Sequence, residues 1–145
     1  MEIAECITSE QVEAAWPVIA QLRQGIAQST LEQRLASARP EGYRLFAALQ
    51  DGRVVGAIGF RLLHDLASGH SLYIDDLVVD EGERGRDIGR ALMTCAEEAA
   101  TEAGCEAIRL TSAMFREGAH AFYERLGFAR PGYVFKKELV PPSSA

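Results

Sequence analysis

The sequence predicts a mixed α/β fold, because the spacing of its apolar residues changes repeatedly between the helical and the strand period. Apolar residues recur at helical intervals over residues 12–22 and again over residues 88–103. Between these stretches, two apolar runs flank Asp51-Gly52, a dipeptide typical of a tight β-hairpin. The two periods together indicate helices packed on a sheet.

The elements follow from these patterns in chain order. In the first helix, Val12, Trp16 and Ile19 share one face. The spacing of Thr30 and Gln33 fits a capping box at the start of a second, short helix. The expected elements are a strand at 2–7, helices at 9–23 and 30–38, strands at 43–50, 53–63 and 70–79, a helix at 88–103, a strand at 105–111, a helix at 116–127 and one or two strands within 128–139.

Composition limits the classes of protein that this chain can be. Hydrophobic residues make up 48% and charged residues 25% of 145 residues, which is ordinary for a globular domain. We expect one domain over residues 1–140 and a flexible tail over residues 141–145. The net charge of −6 argues against nucleic acid as a partner, because such binding relies on spread Lys and Arg.

Cysteine usage and hydropathy bear on the compartment. Three cysteines without a CxxC pair indicate neither a disulfide framework nor a zinc site. The start MEIAEC carries acid where a signal peptide has a basic region, and no apolar run approaches the ~20 residues that span a bilayer. These observations predict a cytoplasmic protein without a membrane or metal partner.

A glycine–arginine turn is the first candidate for a binding site. Arg84, Arg86 and Arg90 alternate with Gly85 and Gly89 between a predicted strand and a predicted helix. The first N–H groups of a helix lack intrahelical partners, so a phosphate can bind there if no side chain blocks it. The spacing fits neither the Rossmann nor the P-loop pattern. On the residues alone, a solvated surface turn is an equally good interpretation.

Two motifs make the chain recognisable. The stretch LVVDEGERGRDIGRALM resembles the acyl-CoA-binding motif of the GNAT superfamily of N-acetyltransferases, [Q/R]xxGx[G/A]. Downstream, AHAFYERLGF at 119–128 resembles the second signature of that superfamily. The order of elements agrees from residue 2 to about 139. The resemblance implies the GNAT acyl-CoA N-acyltransferase fold, a central mixed, largely antiparallel sheet flanked by about four helices.

The resemblance implies a site for coenzyme A. In the superfamily, the backbone of the strand before the turn pairs with the pantetheine arm, and the turn amides hold the pyrophosphate. The implied cofactor-binding residues are Leu77, Val78, Val79, Arg84, Gly85, Arg86, Asp87, Ile88, Gly89 and Arg90. Asp87 is a departure, since it stands where the superfamily usually has glycine. A carboxylate beside a diphosphate is repulsive, so weaker binding of coenzyme A is expected.

The resemblance also implies the catalytic groups. Tyr123 matches the tyrosine that many members use as general acid for the departing thiolate, although an aromatic packing residue is the alternative. Asp75 and Asp76 are candidates for the base that takes a proton from the amine, or else solvent contacts of a strand. Strand alternation puts these two side chains on opposite faces. Backbone N–H groups near Val78 and Val79 are the expected oxyanion hole.

The sequence thus predicts an N-acetyltransferase that moves the acetyl group of acetyl-CoA to a primary amine by direct attack in a ternary complex, without a metal. The alternative is a catalytically weak CoA-binding or regulatory protein of the same fold, for which Asp87 is the clue. A third interpretation is an interaction module that docks acidic partners on the arginine turn. The acceptor is a small-molecule or peptide amine, for which Asp75 and Asp76 mildly favour a cation. The resemblance leaves a homodimer open.

Overall fold

The computed structural model of the chain describes residues 1–111, 117–130 and 135–139. The predicted mixed α/β class is confirmed, with five strands and four α-helices in these ranges. In chain order they are β1 Glu2–Glu5, α1 Ser9–Leu22, α2 Gln28–Ala38, β2 Arg44–Gln50, β3 Arg53–Asp65, β4 Gly69–Val79, α3 Ile88–Ala103, β5 Ala107–Leu110 and α4 Glu117–Arg125. Two 3₁₀ turns, Arg39–Glu41 and Glu81–Glu83, precede β2 and follow β4.

The chain forms two compact units, Met1–Leu110 and Thr111–Ala145. The first unit holds the whole sheet, in the order β1-β2-β3-β4-β5. Neighbouring strands are antiparallel except β4 and β5, which are parallel. The predicted hairpin between β2 and β3 is present: Asp51 and Gly52 both have positive φ, 51° and 80°, which is the geometry of a tight hairpin turn.

Helix α1 begins with a capping box that the sequence analysis did not find. The Thr8 hydroxyl accepts from the Gln11 amide at 3.2 Å, and the Gln11 side chain accepts from the Thr8 amide at 2.9 Å. The predicted capping box at Thr30 and Gln33 is wrong. Helix α2 begins at Gln28, because the amide of Leu31 already donates to the Ala27 carbonyl at 3.0 Å.

The helices of the first unit cover both faces of the sheet. On one face, α1 and α2 bury their apolar stripes against β2, β3 and β4 in one hydrophobic cluster. Helix α3 packs against β3 and β4 through Ile88, Leu92 and Met93, which are buried. Gly56 on β3 allows this approach: an added Cβ would lie 2.9 Å from Ile88 Cγ2 and 3.1 Å from the Val78 carbonyl oxygen. The sheet therefore lies between two helical layers, with α1 and α2 on one face and α3 on the other.

The second unit contains α4, which ends before Gly127 at φ 92°. The Tyr123 carbonyl accepts from the amides of Leu126 and Phe128 at 3.0 and 3.1 Å. The strands predicted within 128–139 are not found in residues 128–130 and 135–139, and residues 131–134 lie outside the described part. The predicted tail, 141–145, also lies outside it. In the described ranges, no helix has the length and apolar character needed to cross a membrane.

Candidate functional site

A β-bulge in β4 brings the two adjacent aspartates to one place. Gly59 of β3 pairs with Asp76, whereas the next residue, Phe60, pairs with Ile74, so Asp75 is an extra residue on β4. The bulge interrupts the alternation of side chains. Asp75 and Asp76 consequently line the same cleft, and the prediction that they occupy opposite faces is wrong.

The cleft has a volume of about 360 Å³ and lies between α1, α2 and the sheet. Its walls are mostly apolar, and the charged side chains come from the end of α1, from α2 and the 3₁₀ turn after it, and from β3 and β4. The lining residues are Ile19, Leu22, Arg23, Ile26, Leu31, Arg34, Leu35, Ala38, Glu41, Tyr43, Leu45, Ala57, Arg61, Asp75, Asp76 and Val78. An apolar cleft with a few convergent polar groups is the usual form of a small-molecule site.

Both aspartates are engaged by arginines. The Arg23 Nε and Nη2 donate to Asp76 Oδ1 at 2.8 and 2.6 Å, and the Tyr43 hydroxyl donates to Asp76 Oδ2 at 2.6 Å. Arg61 holds Asp75 with two bonds of 2.8 Å. Each carboxylate therefore has a guanidinium counter-ion. The mild preference for a cationic acceptor loses its basis, because the aspartates present no net negative charge.

Tyr43 is a donor in the cleft that the sequence analysis missed. Burial, together with the negative charge and hydrogen bond of Asp76, raises the pKa of the Tyr43 phenol well above its ordinary value. The phenol therefore stays protonated and donates a hydrogen bond to the Asp76 carboxylate. Gly59 makes this contact possible, since an added Cβ would overlap the Tyr43 hydroxyl. A glycine inside a strand signals such a close approach, although it does not identify the partner.

Strand β4 extends beyond the end of β5. Pairing between them covers β4 residues 71–74, so residues 75–79 have no strand partner on that edge within the described chain. The Asp80 amide donates to the Val55 carbonyl at 2.9 Å. By strand alternation, the Val78 amide points to β3 as well, while the amides of Leu77 and Val79 point to the open edge. Of the two amides expected to form the oxyanion hole, that of Val79 therefore faces the open edge and that of Val78 points to β3, while the Val78 side chain lies in the cleft.

The glycine–arginine turn leads directly into α3. Asp87 is the N-cap in a left-handed conformation, φ 60° and ψ 18°, and its side chain does not cap the helix. Asp is among the few residues other than glycine that visit this conformation readily, which explains how it replaces glycine. The first helical bond runs from the Ala91 amide to the Asp87 carbonyl at 3.1 Å. The amides of Ile88, Gly89 and Arg90 therefore precede the first intrahelical bond.

The arginines of this turn are exposed. Arg86 lies 3.5 Å from Glu83; in the described part of the chain, neither Arg84 nor Arg90 has a carboxylate within ion-pair distance. Gly85 has φ 86°, and an added Cβ would meet nothing within 4 Å, so the approach to the amides is open. The turn thus offers an anion both backbone N–H groups and guanidinium groups.

Helix α1 links this turn to the cleft. Its Gln21 donates to Asp80 at 2.8 Å and accepts from the Glu81 amide at 3.1 Å. Two residues later, Arg23 holds Asp76. One helix end therefore contacts both the aspartates and the segment that leads from β4 into the turn. Trp16 of the same helix donates to the Ile26 carbonyl at 2.7 Å and packs against the core rather than lining the cleft.

The predicted residues fall into two groups in the structure. Asp75, Asp76 and residues 77–79 belong to β4, and residues 84–90 follow it, so all of them lie in the first unit. Tyr123 lies in the second unit on α4, half-buried, with its ring in edge contact with Phe122 at 5.4 Å and Phe128 at 5.9 Å. Within the described ranges, no three His, Cys, Asp or Glu side chains cluster in a way that could hold a metal.

Comparison with known proteins identifies the architecture. The sequence matches the Acetyltransferase (GNAT) family over residues 10–128. It is 32% identical to the aminoalkylphosphonate N-acetyltransferase of Salmonella typhimurium, over 91% of this chain and 88% of that protein. It is 29% identical to the uncharacterized N-acetyltransferase YhdJ of Bacillus subtilis, over 96% and 99%. A solved aminoglycoside N-acetyltransferase in complex with coenzyme A is 18% identical and superposes with a TM-score of 0.81 over 96% of this chain and 95% of that one. This likeness confirms the predicted fold.

Proposed function

Because the chain belongs to the GNAT family of acetyltransferases, we propose that it transfers the acetyl group of acetyl-CoA to a primary amine by direct attack in a ternary complex. The observation that carries the proposal is the position of β4 between two features. In the described chain its edge at Leu77 and Val79 has no strand partner and continues into the glycine–arginine turn, and its bulge at Asp75 and Asp76 borders the apolar cleft. Donor and acceptor sites can thus meet along one strand.

The residues of the turn suit the donor. The N–H groups of Ile88 and Gly89, with the guanidinium groups of Arg84 and Arg90, would hold the diphosphate of coenzyme A. The backbone groups of Leu77 and Val79 on the open edge of β4 would pair with the pantetheine arm, as a strand pairs with an extended ligand. Asp87 adds one negative charge near this site but is exposed and screened by solvent.

Direct attack requires three kinds of group: one that stabilises the oxyanion, one that protonates the departing thiolate, and one that accepts a proton from the amine. The amine nitrogen bonds to the thioester carbonyl carbon, and the backbone N–H of Leu77 or Val79 would stabilise the oxyanion that forms. As the carbon–sulfur bond breaks, Tyr123 would donate its proton to the thiolate. Asp76, or Asp75 beside it, would accept the proton that the nitrogen loses.

Relatives support an amine acceptor. Two of them are named for aminoalkylphosphonates and aminoglycosides, and both names describe small molecules with amino groups. A third is named as an N-alpha-acetyltransferase. The amine is therefore the shared chemistry, and we propose a small-molecule or peptide amine as the acceptor.

The first experiment compares thermal unfolding with and without acetyl-CoA. Ligand at one hundred times its Kd should stabilise the folded state by about 2.7 kcal/mol. Absence of any shift at millimolar acetyl-CoA would contradict the donor site. If the shift is present, release of free thiol in the presence of a panel of amines tests the transfer itself. Stabilisation without thiol release would favour the alternative, a CoA-binding protein with weak catalysis, for which Asp87 is the specific observation.

Tyr123→Phe tests the general acid. We expect turnover to fall by about 10²–10⁴-fold while the affinity for acetyl-CoA is unchanged, because only the transferable proton is removed. Tyr73→Phe is a control for the loss of a hydroxyl, since it removes the same group from β4 and keeps the ring that Arg61 contacts. Equal activity of the two variants would contradict the assignment of Tyr123.

A further inference from the structure

The cleft is lined by equal numbers of positive and negative side chains, but not all of them form ion pairs. Three arginines and three carboxylic acids line it: Arg23, Arg34, Arg61, Glu41, Asp75 and Asp76. Two ion pairs, Arg23–Asp76 and Arg61–Asp75, have N–O distances of 2.6 and 2.8 Å. Arg34 and Glu41 remain, and neither has an ion-pair partner in the part of the chain that the structure describes. Among the described residues, the cleft therefore offers a ligand one guanidinium and one carboxylate that are not held in an ion pair.

These two residues share one face of a continuous helical segment. Helix α2 continues directly into the 3₁₀ turn Arg39–Glu41, and Arg34, Ala38 and Glu41 all line the cleft at helical spacing. A rise of ~1.5 Å per residue puts the Cα atoms of Arg34 and Glu41 about 10 Å apart along the segment. Long side chains at that separation can reach the two ends of one small molecule.

The surroundings of the two charges differ. Arg34 rises beside Leu31 and Leu35, which are buried and form the apolar floor of the cleft. Glu41 lies near the Arg61 guanidinium, whose pKa is raised mainly by its bonds with Asp75, with a smaller contribution from the charge of Glu41. The charge of Glu41 is thus partly balanced by Arg61, whereas no described carboxylate pairs with the Arg34 guanidinium.

We propose that the acceptor is an amine that also carries an anionic group, and that Arg34 binds this group. The inference rests on the proposed acetyl transfer. A carboxylate, phosphonate or phosphate can take two parallel hydrogen bonds from one guanidinium. A polycationic acceptor would meet repulsion from Arg34, and a neutral one would leave that exposed guanidinium without a charged partner. Arg34 is therefore a specificity-determining residue, separate from the groups that act on the acyl carbon.

The test compares acceptors that differ only at the anionic end. Amino acids are paired with their carboxamides, and aminoalkyl phosphonates with the amino alcohols of the same length. We expect the wild-type protein to acetylate the anionic member of each pair with about tenfold higher kcat/KM, mainly through KM. In Arg34→Gln this preference should disappear, because kcat/KM falls more for the anionic member of each pair and the ratio within the pair approaches one. Arg34→Lys should restore only part of the preference, since it returns the charge but not the two parallel hydrogen bonds of the guanidinium.

The outcomes separate this inference from the proposed transfer. If both members of each pair are acetylated equally, or if Arg34→Gln leaves the preference intact, the anionic-acceptor inference is wrong and the transfer stands. If no amine is acetylated, the proposed transfer fails, and binding decides the inference. In that case thermal unfolding with coenzyme A and each amine is compared. The anionic-acceptor inference is supported if only the anionic members stabilise the protein and Arg34→Gln abolishes this stabilisation. Any other pattern overturns the inference.

Discussion

Replacing Gly59 by alanine tests whether the contact between Tyr43 and Asp76 depends on a missing side chain. Gly59 pairs with Asp76 at the bulge of β4. A Cβ at this position would overlap the hydroxyl oxygen and Cζ of Tyr43 and lie 3.0 Å from Cε2. Gly59 does not have positive φ, so alanine costs nothing in the backbone. The whole effect is therefore steric, and the aromatic ring must leave its place.

The magnitude follows from the contacts that are lost. A hydrogen bond to a charged group contributes about 1.5–3 kcal/mol, and the Tyr43–Asp76 bond is of this kind. Forcing extra volume into a packed site costs about 1–3 kcal/mol more. We expect Gly59→Ala to lower the free energy of unfolding by about 3–5 kcal/mol, a large part of the ~5–15 kcal/mol typical of a folded domain.

Urea denaturation, monitored by circular dichroism, measures the free energy of unfolding. Gly59→Ala is made both in the wild-type protein and in the Tyr43→Ala variant. Once the ring is gone, Gly59→Ala should change the free energy of unfolding by less than about 0.5 kcal/mol. Tyr43→Phe measures the hydrogen bond alone and should cost about 1.5–3 kcal/mol. An equal cost of Gly59→Ala in both backgrounds would refute the steric argument, because the overlap would then not be its cause.

Three further predictions concern the turn and the core. Asp87→Asn keeps a residue that tolerates φ 60° and removes the carboxylate, so calorimetry should show coenzyme A binding about two- to fivefold more tightly; unchanged affinity would contradict the predicted repulsion. Burial raises the pKa of the Cys6 thiol from 9.0 to about 11. As the pH rises, the thiol of the unfolded chain ionises before that of the folded protein, which favours unfolding. Between pH 9 and 11 the free energy of unfolding should therefore fall by up to roughly 2–3 kcal/mol more in the wild-type protein than in Cys6→Ala. Parallel pH profiles of the two proteins would exclude this contribution. Gly56→Ala should displace α3 at Ile88 and weaken binding of coenzyme A; wild-type affinity would show that α3 tolerates the shift.

Local patterns predicted most of the first unit. The hairpin at Asp51-Gly52 and the helix over 88–103 are confirmed, because positive φ at two turn residues and a helical apolar stripe are properties of short segments. The capping box was assigned to the wrong helix. Both Thr8 and Thr30 are followed by glutamine three residues later, so this spacing does not select between them; in the structure Thr8 caps α1, whereas α2 begins at Gln28.

The candidate site was only partly predictable. The motifs located the aspartates and the turn, but they did not reveal that Arg23 and Tyr43 bind Asp76. Those partners lie 53 and 33 residues away in the chain. A bulge is likewise invisible in the alternation of residues, because it depends on how β3 pairs with β4. The roles of Tyr123 and of the turn in binding and catalysis stay predictions.

The sequence by itself determined the family, the order of the elements and the chemistry available at the turn. Each of these depends on residue types at short, regular spacing, which local sterics and hydrogen bonding control. The tertiary structure decided which charges remain for a ligand. Whether Asp76 is occupied, and whether Arg34 has an ion-pair partner among the described residues, depends on contacts between α1, α2 and β4, and such contacts form only when the shared apolar core brings these elements together.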